Sequence, residues 1–335
     1  MTRIEPSPQR RHGGDLSDIV TSEDSTHAGW LDLSTGINPQ AYPIPEFETS
    51  VWQTLPNKKK LNSLCASARD YYGVPDSGTI IGTAGSQMAI QTLPALFPRS
   101  RVQIYGPTYS EHETCWRYWG HDVVADADVR ADIKVIVNPN NPDGRLLKPD
   151  ALAEIAEKQK ASDGWLIVDE AFMDLYPDSS AVSLAGTSNT IILKSFGKFF
   201  GLAGVRLGFV IGPGVLIQAL KNQLGPWSLS GPALEIGINA LSDRAWQEKT
   251  RIGLAERTVQ MDKCLSDAGL TVVGGTNLFR LVESDLAREL FDHLFTNQIY
   301  VRKFQRFPRW IRMGIPGKNS DLELLRTALE ASFSK

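Results

Sequence analysis

From residue 79 to residue 212 the chain repeats one arrangement, a short run of apolar and β-branched residues followed by a longer run with helical spacing. The short runs are TIIGT (79–83), RVQIYG (101–106), IKVIVN (133–138), WLIVDEA (165–171), TIILKSF (190–196) and LGFVIG (207–212). Their apolar positions are continuous rather than alternating, the habit of strands covered on both faces in a largely parallel sheet. Between two of them, KPDALAEIAEKQKASDG sets Pro149 near a helix start and spaces Leu152, Ile155, Ala156 and Gln159 along one face. The unit is strand, helix, strand, so the expected fold class is α/β.

After about Pro232 the pattern changes to longer helices and fewer strands. It closes on NSDLELLRTALEASF, where Ser320 followed three residues later by Glu323 predicts a capping box. The first 45 residues are rich in Pro, Gly, Ser and Thr and read as an irregular arm. The expected organisation is an arm over 1–44, a large domain over 45–232 and a smaller α/β domain over 233–335.

Composition narrows the function classes. The 335 residues are 42% apolar and 22% charged, and 35 Lys plus Arg against 38 Asp plus Glu give a net charge of −3. No global field argues for nucleic acid or an anionic membrane as partner, so any basic site is local. Cys65, Cys115 and Cys264 are scattered and odd in number, which suggests neither a disulfide framework nor a zinc site. The start lacks the apolar core of a secretion signal, and nowhere do roughly 18 apolar residues run together. The expected location is the cytoplasm, and no metal is expected.

In a parallel sheet, ligands bind beyond the carboxyl ends of the strands. Ala84-Gly85-Ser86-Gln87 opens an apolar helical run, a turn whose backbone N–H groups suit a phosphate. NPNNPDG follows the third run, and Asp169-Glu170 ends the fourth. Burying those carboxylates implies a positive or hydrogen-bonding partner. Lys198 lies just past the fifth run among Phe196, Phe199 and Phe200, where desolvation would lower its pKa, and Arg206 offers a fork to a phosphate. Each motif alone also reads as an ordinary turn or a surface charge. Together they ask for pyridoxal 5′-phosphate held as a Schiff base.

The run SFGKFFGLAGVRLG (195–208) resembles the cofactor-lysine motif of fold-type I aminotransferases, and NPNNPDG and DEAF match that family in order and spacing. The resemblance implies a large cofactor domain with a mostly parallel, seven-stranded-type sheet flanked by helices, and a small domain built from the N-terminal arm and the C-terminal segment. It implies that Lys198 is the catalytic amine and that Asp169 pairs with the pyridine nitrogen. Asn141 would bond the ring's phenolic oxygen, Tyr109 would stack on the ring, and Gly85, Ser86, Gln87, Ser195 and Arg206 would hold the phosphate. Two departures stand out: Phe172 replaces the family's usual tyrosine, and Leu55-Pro56 replaces a Tyr-Pro that reaches the partner subunit's cofactor in related enzymes. A homodimer is still the expected assembly.

HGGDLSDI from His12 and LDLSTGINPQAYP from Leu31 look like the opening of the threonine-phosphate decarboxylases of cobalamin synthesis, relatives of histidinol-phosphate aminotransferase. This implies a small phosphorylated amino acid as substrate, with His12, Gly13, Asn38, Asn141, Arg302 and Arg312 lining its pocket. Arg306 and Arg309 read as solvated charges. The same catalytic set serves decarboxylation or transamination, since the bond held perpendicular to the cofactor ring is the one that breaks. The competing readings are an aminotransferase acting on histidinol phosphate and, more remotely, a regulatory protein that binds the cofactor without turnover.

Overall fold

The computed structural model describes residues 13–16, 29–125, 129–187 and 189–332. Its first strand, β1 (Leu31–Asp32), belongs to the N-terminal segment. A seven-stranded sheet follows: β2 (Thr79–Thr83), β3 (Arg101–Ile104), β4 (Asp122–Val124), β5 (Ile133–Val137), β6 (Trp165–Asp169), β7 (Thr190–Ser195) and β8 (Gly208–Gly212). The spatial order is β2-β8-β7-β6-β5-β3-β4. All six predicted strands are present within a residue or two of their expected ends. The seventh, β4, is a three-residue edge strand with one buried side chain, too short to leave a pattern.

The sheet is mixed. β8 runs antiparallel to both β2 and β7, while the other pairs are parallel. The link from β7 to β8 forms a turn rather than a helix crossing back over the sheet, so β8 returns beside β7 in the opposite sense. Thr83 pairs with Gly208, and Gly208 with Ser195. That register gathers the end of β2, the β7–β8 turn and the ends of β5 and β6 on one edge.

The continuous apolar runs follow from coverage on both faces. Leu166, Val168 and Ile192 join one core cluster with Leu64, Leu152 and Leu234, whereas Ile167, Ile191 and Leu193 join another with Ile90, Trp116 and Leu216. Successive strand residues thus point into different apolar layers.

The C-terminal part adds β9 (Thr271–Thr276), β10 (Phe279–Glu283), β11 (Ile299–Tyr300), β12 (Arg302–Phe304) and β13 (Phe307–Gly314). Four of these form an antiparallel sheet, β12-β13-β10-β9, and β11 pairs in parallel with β1. The helix Ala287–Thr296 buries Ala287, Leu290, Phe291 and Leu294, one face at helical spacing, against this sheet. Past β1, the Leu33 carbonyl accepts from Gly314 N–H at 2.7 Å, which carries the N-terminal segment to the end of β13.

The last helix, Asn319–Ser332, starts one residue before the predicted cap. Asp321 rather than Ser320 closes its first turn, with its carboxylate accepting from Lys318 N–H at 3.0 Å, and Glu323 instead pairs with Arg326. Among the described residues no helix is long and apolar enough to cross a membrane.

Candidate active site

Lys198 sits in the turn after β7, on the one-turn helix Phe196–Phe199. Its carbonyl accepts from Gly201 N–H at 3.2 Å and from Asn38 N–H at 2.9 Å. Gly201 has φ +69, and a Cβ there would lie 2.6 Å from the Asn38 carbonyl oxygen, so only glycine lets the two segments meet. The Asn38 side chain donates to the Phe199 carbonyl and accepts from Gln40 N–H, each at 2.9 Å. Expected to line the substrate pocket, Asn38 is buried and has both ends of its amide bound to backbone. It braces the lysine turn.

The three phenylalanines around Lys198 are not what surrounds its amine. Phe196, Phe199 and Phe200 are fully buried in the large core, where Phe196 stacks on Phe200 at 4.4 Å and Phe200 on Trp246 at 5.6 Å. The ring beside the amine is Phe172, 6.0 Å from Nζ, itself edge-on to Phe279 at 5.1 Å. Burial, then the charges of Arg312 and Arg206, bring the Lys198 pKa from 10.5 down to about 8, while Asp169 pulls it up. The expected direction holds, but the main neighbours are cations rather than those three rings.

Arg206 takes the left-handed conformation, φ 53, and Nη1 donates to the Ala203 carbonyl at 3.0 Å. A Cβ on Gly85, whose φ is +77, would lie 2.8 Å from Arg206 Nη2, so the guanidinium rests on the bare face of that glycine. Gly85 precedes the helix Ser86–Thr92, whose first N–H groups, on Ser86 and Gln87, have no carbonyl within the helix to bond. Ser195, paired with Gly208, ends β7 at the same edge. The Gln87 side chain, expected at the phosphate, is engaged elsewhere: Oε1 accepts from the Tyr109 hydroxyl at 3.0 Å and Nε2 donates to Glu111 at 3.3 Å. Its backbone N–H, in the first turn of the helix, is untouched by those two bonds.

Asp169, at the end of β6, is buried, with Oδ1 accepting from Ala171 N–H at 3.0 Å and Oδ2 lying 2.9 Å from His112 Nε2. His112 was not singled out in the sequence. Its only signal there is its place three residues after Tyr109, in the first turn of the helix Ser110–Tyr118. Glu170 points the other way, to a buried ion pair with Lys194 and to Ser180 Oγ at 2.6 Å. Both carboxylates thus have the partners their burial required.

Asn141 Oδ1 accepts from Arg312 Nη1 at 2.6 Å, and Arg312 Nη2 donates to the Ser34 carbonyl at 2.8 Å. Arg302 faces Arg312 directly across the β12–β13 pair. Among the described residues no carboxylate pairs with either, and the buried Nε of Arg312 has no partner. Burial and then Arg302 lower the Arg312 pKa to about 10, so both guanidinium groups stay charged at neutral pH. Like charges held opposite each other in a sheet destabilise it unless an anion sits between them.

Gly13 lies against Ser34, where a Cβ would meet the Ser34 carbonyl oxygen at 2.5 Å, and Gly14 N–H donates to Ser34 Oγ at 2.8 Å. The N-terminal segment therefore reaches the residue whose carbonyl holds Arg312. His12 lies outside the described residues. Leu55 is exposed, and Arg306 and Arg309 are solvent-facing, bonded to Glu113 and to Glu283 and Asp285 respectively.

This donor set fits pyridoxal 5′-phosphate: a guanidinium over a bare glycine beside helix N–H groups, a carboxylate fixed on two sides, an asparagine amide and a lysine of lowered pKa. The fold and these residues define the class of pyridoxal-phosphate-dependent enzymes. The chain belongs to the family described as aminotransferase class I and II, whose profile matches residues 44–330.

Several relatives are named threonine-phosphate decarboxylase. That of Sinorhizobium sp is 42% identical over 315 residues, covering 91% of this chain and 92% of its own. That of Pseudomonas aeruginosa is 38% identical over 325 residues, covering 95% and 96%. The crystal structure of histidinol-phosphate aminotransferase from Clostridium acetobutylicum shares the fold, with a TM-score of 0.79 and 23% identity over 90% of this chain and 98% of that one.

Proposed function

We propose that the protein decarboxylates O-phospho-L-threonine to (R)-1-amino-2-propanol O-2-phosphate, the linker unit needed in cobalamin synthesis. One structural observation carries the reading: Arg312, whose charge acts on Lys198, stands opposite Arg302, and neither has an acidic partner among the described residues. A substrate with both a carboxylate and a phosphate answers two such guanidinium groups. The relatives named threonine-phosphate decarboxylase support the same substrate.

In this reading Gly85, Ser86, Ser195, Arg206 and the Gln87 N–H would hold the cofactor phosphate, Asn141 and Asp169 its ring oxygen and nitrogen, and Tyr109 its face. When bound, pyridoxal 5′-phosphate supplies a carbonyl that condenses with the substrate amine and a ring that accepts the electron pair released at Cα. Asp169, fixed by His112 and the Ala171 N–H, would pair with the ring nitrogen. Arg312 and Arg302 orient the substrate's anionic groups so that the bond from Cα to its carboxylate is the one that cleaves. CO₂ leaves, the bonding pair stays with Cα, and Lys198 Nζ delivers a proton to that carbon.

The same proposal takes the protein to be a cytoplasmic homodimer. Cys65, Cys115 and Cys264 form no disulfide with one another, as a reducing compartment allows. Trp52, Leu55 and Trp227 are large apolar side chains on the surface, near the point where Gly231 packs against Val51, and a second copy would cover them. The neighbouring reading, an aminotransferase acting on a phosphorylated amine, draws on the fold it shares with histidinol-phosphate aminotransferase.

Turnover of O-phospho-L-threonine in D₂O separates the two. Decarboxylation keeps the original Cα hydrogen and adds one deuterium in place of the carboxylate. Loss of that hydrogen to a keto product would refute the proposal.

A further inference from the structure

Glu111 is buried in the first turn of the helix Ser110–Tyr118, and neither the cofactor nor the substrate reading gives it work. A buried carboxylate is costly unless hydrogen-bonded. Its Oε2 accepts from Gln87 Nε2 at 3.3 Å, and Gln87 Oε1 accepts from the Tyr109 hydroxyl at 3.0 Å. We propose that Glu111 and Gln87 are positioning residues that lock Tyr109 as the stacking platform for the cofactor ring and turn its hydroxyl proton away from the reacting centre.

The direction of the chain follows from donor and acceptor capacity. An ionised carboxylate only accepts, so the Gln87 amide must turn its NH₂ toward Glu111 and its oxygen toward Tyr109. The Tyr109 hydroxyl can then only donate to Gln87. The Tyr109 ring also meets His112 edge-on at 6.3 Å, so the ring is held at the hydroxyl by Gln87 and along its side by the histidine that fixes Asp169. Burial, with the charges of Glu111 and Asp169, raises the Tyr109 pKa, which keeps the phenol protonated and the bond to Gln87 in place. Two residues without direct contact to the ring would thereby set its plane.

The inference rests on the cofactor assignment above, and its test keeps the two apart. Apo protein is titrated with pyridoxal 5′-phosphate, following the visible absorbance and circular dichroism of the bound cofactor, for wild type, Glu111→Gln, Tyr109→Phe and the double variant. Glu111→Gln, which can turn either an amide oxygen or an NH₂ toward Gln87 and so no longer fixes the direction of the chain, is expected to weaken cofactor binding about threefold to tenfold and to alter the visible dichroism. Placed on Tyr109→Phe, which lacks the hydroxyl, it is expected to add less than about twofold. Should Glu111→Gln fail to fold, Gln87→Met removes both bonds of the chain and carries the same expectation. Unchanged affinity and dichroism, or an equal loss in the Tyr109→Phe background, overturns the proposal. Absence of a visible band in the wild-type titration instead overturns the cofactor assignment beneath it.

Discussion

Arg312 donates to Asn141 at 2.6 Å, joining residues 171 positions apart in the chain and tying the small sheet to the loop after β5. The same guanidinium donates to the Ser34 carbonyl, so it is a fork held in two directions with Nε left over. A lysine has one point of charge and cannot reproduce that geometry. Arg312→Lys should lower kcat/KM for O-phospho-L-threonine by about 10- to 100-fold, the range for losing a hydrogen bond to a charged group, as steady-state kinetics would report.

The lowered pKa of Lys198 gives a signed pH dependence. In apo protein the folded chain releases the Lys198 proton near pH 8, whereas the unfolded chain keeps it to about 10.5. Below pH 8 both states carry the charge, and the folded state bears the full penalty of burying it beside Arg312 and Arg206. Between about pH 8 and 10.5 the unfolded state binds more protons, so this residue's contribution to stability rises with pH. Apo Lys198→Met should therefore be more stable than apo wild type at pH 7, and the gap should shrink as pH rises from 8 to 10. Urea unfolding at several pH values measures it. A gap that widens with pH contradicts the assignment.

Gly85 and Gly204 lie in two of the site's motifs but differ in surroundings. A Cβ on Gly85 meets Arg206 Nη2 at 2.8 Å at φ +77, while at Gly204 it meets nothing within 4 Å. Gly85→Ala should weaken pyridoxal 5′-phosphate binding about tenfold or more through backbone strain and a displaced guanidinium. Gly204→Ala should leave it within about twofold. Titration of the two apo variants decides.

The buried pair Lys194–Glu170 lies behind the strand end that carries Asp169. Lys194→Met leaves Glu170 uncompensated and should cost about 3–5 kcal/mol in unfolding free energy. Adding Glu170→Gln should recover most of that loss. A single variant as stable as wild type would show that Lys194 is not what holds the Glu170 charge.

Much of the large sheet was legible because its strands are covered on both faces and so read as unbroken apolar runs, Ile191 to Leu193 being one such stretch. The antiparallel sense of β8 was not, since direction depends on how far the Lys198–Arg206 turn carries the chain, and LGFVIG reads the same either way. At the site, Lys198, Asp169, Asn141 and Arg206 sit in motifs with fixed order, and the fold brings them to one edge. His112 and the Ser34 carbonyl are partners made by tertiary packing, with no local pattern to announce them. Asn38 and Gln87 were recognisable as neighbours of the site, but what their amides bind depends on Phe199, Gln40, Tyr109 and Glu111, which only the folded chain assembles around them.

The most direct test of the account is the fate of the substrate carboxylate. Holoenzyme given carboxyl-labelled O-phospho-L-threonine without any keto acid should release one labelled CO₂ for each 1-amino-2-propanol phosphate formed, and 2-oxoglutarate should not change the rate. Turnover that requires 2-oxoglutarate, forms glutamate and retains the label in a keto acid would contradict it.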